Sequence, residues 1–416
     1  MSNLKLNHIQ LPITLLSISL LASCVSTPVA QTSDLPISFN EAIPMLANSL
    51  LIQVKNKQGM LDGFGQKNIV LEPFIDTKSH QVVKVSRQIE RIVFRETKKN
   101  FADKFTIKRL IPENRSQANY VMHGVILYEP YRKKGNFYHA ISSVIDKKTS
   151  QVVAKSDVWI SNKNLDYVTV KESPMVIQGS QSIAEEVVKL NIGAQTPSHY
   201  KSFLKAGALI TKADAAYENK DYQTALRLYT QVTKQQSLEK KKMMNVYVGL
   251  YRTNIHLRNL KAAEKAFGKL VALSIEEYNT LGIKFLFLVS KTSFDRKLKA
   301  EYPIWLRQIG KYFKKNNLCL NIVGHSSHTG KLQYNCRLSL NRAEAIQQKL
   351  QPYYNRVKKK SKSTGKAWAA NLVGSGTDNA QDAIDRRVEF KVVSCPVSDK
   401  LRKPKKIKSC VNSVSR

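Results

Sequence analysis

Acidic residues are scarce in this sequence: 31 Asp and Glu stand against 67 Lys and Arg, a formal charge of +36 over 416 residues. That deficit turns the surface toward anionic partners, nucleic acid among them. Long apolar runs are equally rare. After residues 11–21 there is none, so no later segment is expected to cross a membrane. None of the five cysteines forms a Cys-x-x-Cys pair, which removes support for a zinc or thiol-redox site. There is no glycine-rich phosphate loop; Gly374-Ser375-Gly376 is too short. Gly324-His325-Ser326-Ser327-His328 lacks the closing glycine of a nucleophile elbow. His325 and His328, three apart, have no third metal ligand at suitable spacing, and His325 is expected to orient its loop. These absences point to a non-enzymatic protein without cofactor or metal. Its length allows two or three domains at about 100–200 residues each.

The first residues bear on the charge. Residues 1–10 carry one cation, Lys5, and residues 11–21 are apolar apart from Thr14, Ser17 and Ser19, too short a run for a stable span. Leu21-Ala22-Ser23-Cys24 then resembles the lipobox of bacterial lipoproteins. The resemblance implies a signal peptide over 1–23, cleavage before Cys24 and acylation of that residue, palmitate included. Val25 follows, not the Asp that retains such proteins in the inner membrane. The implied location is the outer membrane of a Gram-negative bacterium, lipid-anchored and facing the periplasm. An exported basic protein meets lipid and wall polymers, so no nucleic-acid partner is expected, and its charge reads as short-range adhesion. With Cys24 lipidated, four cysteines remain and three connectivities are open. Cys319 starts one strand and Cys395 ends another, so antiparallel neighbours would pair them.

Residues 24–37, rich in Ser, Thr and Pro, read as a flexible tether. Residues 38–195 read as an α/β domain. A helix opens at Phe39 with Ile43, Leu46, Leu50 and Leu51 as its stripe, and a strand covers 68–76. A second helix carries Val85, Ile89, Ile92 and Val93, a strand covers 118–127, and a hairpin turns at 146–150. This order resembles the CsgG and FlgO type of envelope-assembly lipoprotein domain; no catalytic residues travel with that resemblance. Residues 200–279 read as helices. Ala208, Ala215, Ala216, Tyr217, Tyr222, Ala225 and Tyr229 have the small-large pattern of a tetratricopeptide repeat, and 250–267 offers a second copy, with the charged stretch Glu239 to Lys242 as a loop between them. Two repeats are fewer than the three or so a free solenoid needs, so they are expected to pack on a neighbouring domain or a protein partner. A plain helical spacer is the competing reading.

From Leu281 the pattern changes again. Ile283, Phe285, Phe287 and Val289 read as a strand, followed by a helix carrying Ile304, Leu306, Ile309 and Phe313. Leu318 to Val323 is a buried strand ended by Gly324, then come a polar loop and a helix with Leu338, Ala343, Ile346 and Leu350. An exposed basic insert is expected over 356–362, a strand near 371–374, a loop to Asp385, a final strand, and a mobile basic tail over 396–416. Gly324-His325-Ser326-Ser327, Gly330, Tyr334-Asn335, Leu338-Ser339, Arg342-Ala343 and Asp385-Arg386-Arg387-Val388-Glu389 resemble, in order, the motifs of the OmpA C-terminal domain family, which binds peptidoglycan.

The resemblance covers 281–395 and implies a βαβαββ two-layer sandwich, giving a mixed α/β and α multidomain chain. It also implies a site for the diaminopimelate of the stem peptide, lined by Ser327, Asn335, Arg342 and Arg386. Arg342 would supply a bidentate donor fork for the carboxylate; Arg387, one residue out of phase, would be structural. Ser327 departs from the family Asp that takes the ammonium. Such charge-assisted bonds contribute about 1.5–3 kcal/mol, so binding is expected to weaken roughly tenfold to hundredfold. Either an acid within 378–385 replaces it, or the basic surface carries the affinity, or the module only docks a partner. The implied protein links membrane to wall; the alternative is an assembly scaffold of a secretion or motility machine with a degenerate wall-binding fold.

Overall fold

The computed structural model describes residues 33–57, 65–177, 182–235, 240–288, 290–294, 298–370, 385–395 and 403–414. The expected signal peptide, Cys24 and most of the tether lie outside them. Among the described residues, helices and strands alternate through two mixed sheets with a purely helical stretch between.

Helix α1 (Phe39–Lys57) starts where Ser38 Oγ donates to Glu41 at 2.7 Å and Asn162 accepts the Phe39 N–H at 2.7 Å. Its stripe, Ala42, Ile43, Leu46, Leu50, Leu51 and Val54, is buried. The first sheet comprises β1 (Lys67–Leu71), β2 (Ile75–Asp76), β3 (Phe105–Arg109), β4 (Tyr120–Pro130), β5 (Asn136–Asp146) and β6 (Val152–Ile160). Its order is β3-β1-β4-β5-β6, with β2 beside β4. The strand expected over 68–76 splits around Pro73, which has no N–H for a ladder. The expected hairpin turn is held by Asp146, whose Oδ1 accepts from the N–H groups of Lys148 and Thr149, both at 2.8 Å. Helices α2 (Lys84–Asn100), α3 (Pro112–Gln117) and α4 (Ile183–Lys189) complete this region.

Four helices follow: α5 (Tyr200–Glu218), α6 (Tyr222–Thr233), α7 (Lys240–His256) and α8 (Leu260–Tyr278), each packed on the next. Lys240 to Lys242, expected in a charged loop, form the first turn of α7. The second sheet takes a short strand from upstream, β7 (Met175–Val176), and then β8 (Thr280–Ile283), β9 (Cys319–Gly324), β10 (Ser361–Gly365) and β11 (Val388–Val393), in the order β10-β9-β11-β8-β7. Helices α9 (Tyr302–Lys315) and α10 (Leu332–Leu350) cover it, with α11 (Val357–Lys360) leading into β10 and α12 (Lys403–Val414) at the end.

Three expectations change here. The strand expected through Val289 stops at Ile283, because Phe285 and Phe287 turn inward. The Phe285 ring stacks on Phe294 at 5.4 Å and meets Trp305 edge-on at 5.8 Å; Val289 lies outside the described residues. The basic insert is instead α11 and an edge strand, in which Ser361, Ser363 and Gly365 face inward between lysines. Small polar residues in alternation with cations hid that strand from a hydrophobicity reading; residues 371–374 lie outside the described set. The tail carries α12, whose Ile407, Val411 and Val414 pack near Leu332 and Trp368.

One apolar core joins Met175 and Ile177, the helices α5–α8 and both layers of the second sheet. Trp305 of α9 lies in it, its ring 6.0 Å from Phe267 of α8 and its Nε1–H donating to Tyr251 of α7 at 2.7 Å. Arg307 grips Glu264 of α8 with two 2.7 Å bonds. Helix α9 thus packs on α7 and α8 and shares their core. Two disulfides, Cys319–Cys395 and Cys336–Cys410, close chain segments of 76 and 74 residues. The first ties paired ends of β9 and β11, where Val393 stands opposite Cys319. Replacing Cys319 and Cys395 by Ala is expected to cost about 2–4 kcal/mol, read by calorimetry as a lower melting temperature. An unchanged melting temperature would mean that the bridge adds no stability.

Candidate functional site

The site is built at the end of β9, where α10 sits close on the sheet. A Cβ on Gly324 would lie 1.9 Å from the Ser339 carbonyl oxygen, and one on its neighbour Gly365 would lie 2.6 Å from the Cys336 carbonyl oxygen. Only glycine at these strand ends lets the helix approach so closely. The chain leaving Gly324 is therefore held between α10 and the strand ends. His325 N–H donates to the Arg387 carbonyl at 3.0 Å, and Ser326 N–H donates to the Ala367 carbonyl at 2.9 Å.

The loop closes on Asn335, in the first turn of α10. Asn335 Nδ2 donates to the carbonyls of Thr329 at 2.6 Å and Lys331 at 3.2 Å, which lets Gly330 turn with φ +84 between them. Ser327 is buried, its Oγ 3.4 Å from Thr329 Oγ1. Ser327 and Asn335 thus meet through Thr329. Arg342 lies two turns further along the same face of α10 and is only 2% exposed, so it is not a solvated helix cation. Its Nε donates to Lys291 O at 3.3 Å, its Nη2 to Leu288 O at 3.4 Å, and the guanidinium stands 4.9 Å from the Phe287 ring centre. Arg386 is half-buried and joins the site through its neighbour Arg387, whose carbonyl holds His325.

Behind the loop is a buried charge cluster. Arg387 donates to Glu389 Oε1 through Nε at 2.9 Å and Nη2 at 2.7 Å, and through Nη2 to Ala370 O at 2.9 Å. Asp385 Oδ1 is 3.9 Å from Arg387 Nη1. The expected replacement acid within 378–385 is thus described only at Asp385, which is fully buried beside Arg387; residues 378–384 lie outside the described set. His325 points inward, Nε2 3.4 Å from Glu389 Oε2, whereas His328 meets Trp368 edge-on at 4.5 Å. Burial pushes the His325 pKa down and the Arg387 charge adds to it. Burial would raise Glu389, but His325 and Arg387 outweigh it and hold the carboxyl well below its ordinary range.

The pairing of Glu389 with Arg387 was legible as two residues on one face of a strand. The Leu288 and Lys291 carbonyls that hold Arg342 carry no sequence signal, since any residue offers a carbonyl.

Residues 294–385 match the family model described as the OmpA family, so the chain carries an OmpA-like domain. Among solved structures, the OmpA-like domain of FopA1 from Francisella tularensis subsp. tularensis SCHU S4 is similar at 22% identity. That match covers 29% of this chain and 75% of the other, with a TM-score of 0.22. An outer membrane protein from Borrelia burgdorferi B31 is similar at 25% identity over 28% of this chain and 88% of the other, with a TM-score of 0.21. No curated protein matches the chain.

Two outcomes follow from the cluster. Glu389→Gln removes the carboxylate that Arg387 grips with two hydrogen bonds, leaving it only Asp385 at 3.9 Å, and is expected to cost about 3–5 kcal/mol in urea unfolding. His325, disfavoured as a cation in the fold, protonates in the unfolded chain first, so its contribution is present above about pH 6.5 and is lost as pH falls below it. The stability difference between the parent and His325→Gln is therefore expected to shrink from pH 7.5 to pH 5.5; a constant difference would show that His325 protonates as readily folded as unfolded.

Proposed function

We propose that this chain is a non-enzymatic outer-membrane lipoprotein that binds peptidoglycan through its OmpA-like domain and links membrane to cell wall. The observation that carries the reading is the loop between β9 and α10, tied down by Asn335 and backed by a buried Arg342, in a domain of a family known for wall binding. In this proposal Arg342 and Arg386 receive the diaminopimelate carboxylate of a stem peptide, Asn335 holds the loop shape, and Ser327 meets the ammonium with a hydroxyl where the family has a carboxylate. Cys24 carries the lipid, and the helices α5–α8 hold a protein partner in the periplasm. No helix among the described residues is long and apolar enough to cross a membrane.

The domain limits proposed from sequence, 38–195, 200–279 and 281–395, serve as a division of labour only. Met175 and Val176 pair with β8, and the start of α5 packs on the first sheet through Tyr200, Phe203 and Leu204. Residues 200–279 act in this reading as a wedge between two sheets, transmitting tension from the anchored end to the wall-binding end.

Ser327 is the observation that favours the second reading, an assembly scaffold whose wall-binding fold is degenerate. Co-sedimentation of the full chain, in mild detergent, with purified sacculi at about 0.15 M salt separates the two. The parent is expected to pellet, Arg342→Ala to stay in the supernatant, and Ser327→Asp to bind about tenfold tighter or better. If all three remain in the supernatant, wall binding is lost and the scaffold reading replaces it.

A further inference from the structure

The site has a charged neighbour that the stem-peptide pocket does not use. Residues 331–370 and 403–414 together hold fourteen Lys or Arg and one acid, Glu344. Arg342 is buried in the site and Lys349 lies over the Phe294 ring, whereas Arg337 of α10 and Lys405 and Lys408 of α12 are exposed on two helices fastened to each other. Helix α12 runs antiparallel along α10: Lys403 reaches Glu344 at 3.2 Å near one end, and the Cys336–Cys410 disulfide fastens the other end one residue from Asn335. Lys366 follows β10 at the mouth of the site, its N–H donating to the Gly324 carbonyl at 3.0 Å. Lys358, Lys359, Lys366, Lys405 and Lys408 are exposed, and no carboxylate pairs with them among the described residues. Edge strand β10 borders the same face.

A solvated charge run needs no fixed scaffold, yet this one is cross-linked beside a binding loop. A membrane is a poor match. The apolar side chains of α12, Ile407, Val411 and Val414, are turned inward around Cys336, Ala367 and Cys410, so the helix offers nothing apolar to insert between lipids. The wall presents a different pattern: glycan strands carry stem peptides at intervals, each with free carboxylates. We infer that the α10–α12 face is a second wall contact, binding the carboxylates of stem peptides next to the one held in the loop.

This inference rests on the wall-binding reading above and divides the labour. The loop recognises one peptide, and the basic face adds many weak, screened attractions that count only on a polymer. It also supplies affinity where Ser327 has lost a charge.

The test compares the full chain with a variant carrying Arg337, Lys405 and Lys408→Gln, all exposed on α10 and α12 and outside the loop. Three probes are used: purified sacculi over a salt series, a soluble single-stem muropeptide, and phosphatidylglycerol vesicles. The expected result is sacculus binding weakened about tenfold or more at low salt, a flatter salt dependence, and muropeptide affinity unchanged. A variant that pellets like the parent, with the same salt dependence, overturns the inference. So does loss of binding to phosphatidylglycerol vesicles without loss on sacculi, which would assign the face to lipid. Failure of the loop reading looks different: Arg342→Ala would leave muropeptide binding intact, whatever the three-Gln variant does on sacculi.

Discussion

Much of this structure depends on one buried contact region around Trp305. The indole reaches from α9 to the Tyr251 hydroxyl of α7, stands against Phe267 of α8, and meets Phe285 beneath the second sheet. The helices α7 and α8 share their apolar face with α9, and without β7 the second sheet would end at β8. Joining them covers both: α9 packs on the helices, and β7 from the upstream segment covers the β8 edge. Because burial of large aromatics is among the larger stabilising terms available, the helical stretch and the C-terminal sheet are expected to behave as one mechanical body.

That rigidity matters at the site. The loop between β9 and α10 has little freedom because Gly324 and Gly365 let α10 press onto the strand ends, and Asn335 ties the turn. Arg342 takes its orientation from carbonyls of the segment after β8, the same segment whose aromatics pack under Trp305. The position of Arg342 is thus coupled to the core. The charge cluster of Asp385, Arg387 and Glu389 shows the same economy: paired and buried, it holds the final strand against the loop through the Arg387 carbonyl.

Much of this was legible beforehand. The stripe of α1, the 118–127 strand and the turn at Asp146 follow hydrophobic periodicity and Asx chemistry, which act within a few residues. Asn335, Arg342 and Arg386 could be singled out from motif order. Other features were not legible. β10 is written in Ser, Thr and Lys, and it is a strand because β9 offers it a ladder. β7 has two residues, too few for any period. The C-terminal helix looked like a basic tail because its three apolar side chains matter only once Cys410 is fastened to Cys336.

The sequence by itself determined the charge excess, the local elements with clear periods and the chemistry available in the loop, because these reside in residue types and short spacings. Only the tertiary structure decided that Phe285 and Phe287 leave the sheet, that Arg342 is buried on backbone carbonyls, and that the basic helix α12 is fastened along α10 beside the loop. Burial, carbonyl direction and the meeting of distant segments depend on how helices seat on sheets, and no short window of sequence carries that information.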